Sequence, residues 1–132
     1  MRNQRTNEYQ PTQEEEALGR ILEVNKDVLS GAARILLGEA ETAAYALNLA
    51  GNYSFQPEEY DEALQMMRLA AAVLTVRDRE LLAELVCAGK AAAASLDPDD
   101  ETPVVGYKAR RGYVHSYYEM AYGMVEEILQ DV

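Results

Sequence analysis

Laid on a helical wheel at about 100° per residue, the chain from Pro11 onward repeats its apolar residues with helical period. Leu18, Ile21, Leu22, Val28, Leu29, Ala32, Ile35 and Leu36 share one broad face, with Glu23, Asp27, Ser30 and Arg34 opposite. That pattern predicts an amphipathic helix lying on a core. Thr12 followed by Glu15 has the spacing of a capping box, and Glu14, Glu15 and Glu16 crowd a first turn where the helix dipole favours anions. Asn25 falls within the apolar arc, as a buried register-setting amide or as one that caps a neighbour or reaches water. The same wheel puts Glu39 near the centre of the apolar face, where a lone carboxylate is costly. The pattern therefore predicts a break at Gly38 and a second, alanine-rich helix over residues 39–50, stopped by Gly51 and Asn52.

Pro57 fits a first helical position, with Glu58 and Glu59 in the first turn. Ala63, Leu64, Met67, Ala71 and Leu74 line one face of this next helix, and Met66, Leu69 and Val73 line a second. Apolar residues on two sides predict burial on two sides, so this segment is the expected central helix. The wheel then meets Asp78 in the apolar stripe. Thr75 and Asp78 have capping spacing, so a new helix from about Thr75 relieves the conflict; one long helix with a polar waist is the alternative. Leu81, Leu82, Leu85, Ala88 and Ala92 continue the stripe to "DPDDETPVVG", the clearest loop. A last helix is expected from near Tyr107 almost to Val132. The predicted fold is all-α: a compact antiparallel bundle of four to five helices over residues 12–132, with a polar N-terminal arm over residues 1–11.

Composition sharpens this picture. The 132 residues hold 23 acids against 12 bases, a net charge of −11 that repels nucleic-acid phosphates and anionic membranes. One cysteine allows no internal disulfide and points to a reducing compartment. Cys87 itself is expected to be a small buried hydrophobe. The N-terminal residues lack the apolar core of a signal peptide, and no stretch approaches the length of a membrane span. A cytoplasmic or virion-associated protein is expected.

Candidate chemistry concentrates in "YKARRGYVHSYYEMAYGM", residues 107–124, with five of the nine tyrosines and the one histidine. Lys108, Arg110 and Arg111 beside stackable tyrosines suggest a nucleic-acid grip. The positive charge ends at Gly112, however, and acids follow, so direct nucleic-acid binding is not expected. His115, Glu119, Tyr122 and Glu126 line one face at helical spacing, but two ligands make no metal site and the chain has no second histidine. A solvated face with a weak His115–Glu119 pair is the simpler account. Tyr113, Tyr117, Met120, Ala121, Met124 and Ile128 form an inward stripe, flanked by Tyr118, Val125 and Leu129. That arc is wider than one core face requires, so part of the helix is free for a partner.

No phosphate-binding glycine loop, nucleophile elbow or zinc-protease motif occurs. No catalytic residue, cofactor or metal is expected. The sequence points to a non-enzymatic, protein-binding assembly subunit, homo-oligomeric or part of a multi-subunit particle, viral connectors and adaptors included. Its expected partner-binding residues are Arg2, Arg5, Lys108, Arg110, Arg111, Tyr118 and Tyr122, the bases meeting acids of a neighbour such as "DPDDE". The alternatives are an acidic inhibitor that mimics nucleic-acid charge on a basic partner, and a small carboxylate-dependent hydrolase using a metal.

Overall fold

The computed structural model describes residues 10–49, 57–104 and 110–131. Within them the chain forms α1 (Gln13–Asn25), α2 (Gly31–Leu49), α3 (Pro57–Ala71), α4 (Val76–Ala94) and α5 (Arg111–Gln130). Among the described residues there is no strand, and one isolated bridge joins Pro103 to Arg110.

Both capping boxes form. The Thr12 hydroxyl accepts from the Glu15 amide while the Glu15 carboxylate accepts from the Thr12 amide, and Thr75 and Asp78 do the same for α4. One expected break moves. The chain does not break at Gly38, where α2 runs through without interruption. It breaks instead over residues 26–30, where the amides of Val28 and Leu29 fold back onto the Asn25 carbonyl. Asn25 turns its side-chain amide onto the Ile21 carbonyl at 3.0 Å, and Ser30 starts α2 by accepting from the Ala33 amide. The break resets the helical register. Leu29, Leu36 and Leu37 turn inward, Val28 and Ile35 stay outside, and Glu39 leaves the centre of the apolar face.

Polar ties show how the helices run. Thr12 meets Ser95 at 2.7 Å, joining the start of α1 to the end of α4, and Ser30 meets Asp78, joining the start of α2 to the start of α4. His115 near the start of α5 bonds the Ala93 carbonyl near the end of α4. Tyr60 borders Met120 and Met124, and Arg68 borders Ile128 and Asp131, so α3 runs parallel to α5. Successive helices thus alternate in direction.

The central helix is α5, not α3. Within α5 only Glu119, Glu127 and Gln130 are exposed, because the helix packs on α4 and α2 and touches α3 along one edge. Two of its residues, Tyr122 and Val125, are among the largest fully buried side chains of the described residues, with Leu36, Met67, Leu82 and Leu85. The wide apolar arc read on α5 is therefore the surface of a helix enclosed on several sides. At Gly89 of α4 a Cβ atom would overlap the Tyr122 ring; a glycine there lets α4 lie against the aromatic face of α5.

Candidate protein-binding surface

The structure places the basic and aromatic residues of the α5 segment within the fold. Arg110 donates to the Pro98 carbonyl at 2.8 Å and the Asp100 carbonyl at 3.3 Å, lies 4.0 Å from a Glu101 carboxylate oxygen, and stacks over the Tyr113 ring at 4.8 Å. The acid loop and the basic cluster, expected to meet between neighbouring molecules, meet inside one chain. Hydrogen bonds from Thr102 hold the Asp100 carboxyl below its ordinary range, with help from the charges of Arg111 and Arg110. Arg111 donates to the Gln10 carbonyl and stands 3.9 Å from Glu15. Arg2, Arg5 and Lys108 lie outside the described residues.

Tyr118 and Tyr122 also turn inward. The Tyr118 hydroxyl donates to the buried Glu15 carboxylate at 2.9 Å, so the two side chains clasp α1 to α5. Tyr122 is 2% exposed and cannot meet a partner, which corrects its reading as an interface residue. Of the face expected to be solvated, His115, Tyr122 and Glu126 meet α4, while Glu119 stays exposed. There His115 contacts the Ala93 carbonyl at 2.7 Å, and Lys90 pairs with Glu126 at 3.0 Å. His115 and Glu119 stand 3.6 Å apart as a lone pair. Burial, with the nearby carboxylates Glu41 and Glu15, pushes the hydroxyls of Tyr117, Tyr118 and Tyr122 well above their ordinary value. Burial likewise raises the Glu41 carboxyl. Among the described residues no group of three or more His, Cys, Asp or Glu side chains is arranged to hold a metal ion. Cys87, expected in the core, is exposed.

Between α1 and α2 runs an open groove of about 510 Å³, its apolar wall made by Leu22, Leu29 and Leu37 and its rim by Lys26, Arg34 and Glu41. Charges of both signs border it, and Lys26 is already paired with Glu23 at 2.8 Å.

The surface with unsatisfied chemistry lies on α3. Met67, Ala70, Ala71 and Leu74 are buried against α2 and α5, and this uses one face of the helix. The second apolar face, expected to be buried as well, stands in solvent. Leu69 is 68% exposed, Val73 70% and Val76 76%, with Met66 beside them at 42%. Met66 and Leu69 are three apart on α3 and so share one side, and Val73 follows in the turn after the helix ends at Ala71. Val76 is the first residue of α4. Val24 and Val28 are also exposed, at the end of the bundle where α1 stops and α4 starts. The signal for this surface was present in the sequence as the second apolar face of α3; what misled was assigning that face to burial.

Comparison with known proteins finds no match: no family model fits the chain, and neither a curated relative nor a solved structure is similar to it.

Proposed function

We propose that the chain is a protein-binding assembly subunit that docks through the outer face of α3 and the adjoining end of the bundle. The observation that carries this reading is four large apolar side chains left in water within eleven residues: Met66 and Leu69 on α3, Val73 in the turn after it and Val76 at the start of α4. Single exposed aliphatics are ordinary; a concentration of them favours an interaction site. Covering each releases at most about 1.5–3 kcal/mol, while association costs roughly 4–15 kcal/mol. These side chains alone therefore sustain a weak complex, and a tight one needs further contacts. The reading belongs to connector and adaptor subunits, which contribute a face and no chemistry of their own.

The test is native mass spectrometry on the protein purified from the cells that make it. The expected result is a species heavier than the 14.7 kDa chain, lost in the variant Leu69→Lys/Val73→Lys whose circular dichroism stays helical. A wild-type chain that is monomeric at every concentration, or a complex indifferent to the double substitution, would overturn the reading.

A further inference from the structure

We infer that the groove between α1 and α2 receives a helix of a partner protein, an amphipathic one whose apolar face lies on the groove and whose lysine or arginine reaches Glu41. The inference stands apart from the reading above, since none of Met66, Leu69, Val73 and Val76 borders this groove. The two helices share the turn at residues 26–30, yet α1 packs on α4 while α2 packs on α3 and α5. Neighbours in sequence that bury their faces elsewhere leave a channel between them. Its walls are regular. Gly19, Leu22, Glu23 and Lys26 line it from α1 at i, i+3, i+4 and i+7. Arg34, Leu37, Gly38 and Glu41 line it from α2 at the same spacing. Each wall is thus one side of a helix over two turns, about 10 Å long. A channel with two such walls is shaped for a third helix laid apolar face down.

Two features say that the occupant comes close and that it is cationic. A Cβ atom at Gly19 or at Gly38 would meet no heavy atom within 4 Å. Glycine weakens the interior of a helix relative to alanine, and at these two positions nothing among the described residues fills the space a side chain would take. That space opens on both walls of one groove, where it lets another backbone approach. The charges decide the sign. Near the turn they cancel, with Lys26 paired to Glu23 at 2.8 Å and Arg34 offsetting Asp27. Two turns along α2, Glu41 is left over. Among the described residues it enters no ion pair. It is half-buried, and burial raises its carboxyl, so its charge is costly there without a cation beside it. The phenols of Tyr117 and Tyr122 near it on α5 supply no positive charge. A lysine or arginine of the occupant supplies it, and the net charge of −11 draws a basic segment in.

The test uses two fluorescein-labelled peptides of about 18 residues, long enough to hold a helix. Both are built of alanine and leucine, with the leucines at i, i+3, i+4 and i+7; one carries lysines beside the leucines and the other glutamates. Fluorescence anisotropy near physiological salt is expected to show saturable binding of the lysine peptide and none of the glutamate peptide. Gly19→Leu and Gly38→Leu, which fill the channel from its two walls, should each weaken binding at least about tenfold, and so should Glu41→Gln. Circular dichroism checks that every variant stays helical. Leu69→Lys/Val73→Lys should bind the lysine peptide like the wild type, so a failure of the groove and a failure of the α3 surface are told apart. Binding that survives both Gly38→Leu and Glu41→Gln would be attraction to the acidic surface at large and would overturn the proposal. Equal binding of the glutamate peptide, or no binding of the lysine peptide, would overturn it as well.

Discussion

The Asp78 carboxylate at the head of α4 accepts the Ser30 hydroxyl at 2.6 Å and the Ser30 amide at 3.1 Å, across 48 residues of chain. The same carboxylate accepts the Thr75 amide at 3.1 Å, so one buried side chain closes its own capping box and fixes the start of α2. Because it is buried and fully hydrogen-bonded, removing it strands several donors at once. Asp78→Ala is expected to cost about 2–3 kcal/mol in urea unfolding. The pH dependence has a definite sign. Burial works to raise this carboxyl, but the bonds from Ser30 and Thr75 prevail and hold it below the ordinary 3.8. Its contribution is thus complete above the pKa of the unfolded chain and is lost as pH falls through the folded value. Acid titration of the wild type should show that loss, and Asp78→Asn should flatten it.

Gly89 sits beneath the Tyr122 ring, and the two form one packing unit. Gly89→Ala should lower stability by about 1–3 kcal/mol through overpacking. Tyr122→Ala should cost about 3–5 kcal/mol through the cavity it leaves. Both losses should show in thermal unfolding of the isolated chain, without any partner.

Tyr118→Phe removes the one hydroxyl that Tyr118 gives to Glu15 and should cost about 1–3 kcal/mol, as expected for a bond to a carboxylate. The raised hydroxyls of Tyr117, Tyr118 and Tyr122 set an alkaline limit as well. Their stabilisation is fully present below the ordinary 10.0 and is lost as pH rises above it. An absorbance titration of the phenolates should show ionisation of these three delayed until the chain unfolds.

Arg110→Ala should free the loop at residues 97–104 with little effect on the helices, at a cost of about 1–2 kcal/mol. Hydrogen exchange should speed up at the amides of Arg111 and Gly112, which donate to Thr102 and Asp100 across that loop. Unchanged protection at both amides would show that the guanidinium does not anchor it.

The sequence by itself determined the helices that local chemistry specifies. Thr12 with Glu15 and Thr75 with Asp78 satisfy helix ends within four residues, and Pro57 opens a helix for the same local reason. The inward faces of α3 and α4 were legible because helical period alone selects them. Only the tertiary structure decided which second faces are covered. α5 and α3 each show two apolar sides on the wheel; α5 is enclosed by α2 and α4, whereas α3 lies at the edge. Nothing local distinguishes those fates, since burial depends on where distant helices dock. The break at residues 26–30 belongs to the same class: Ser30 becomes a helix start because Asp78 waits beside it, a partner that no window of neighbouring residues contains.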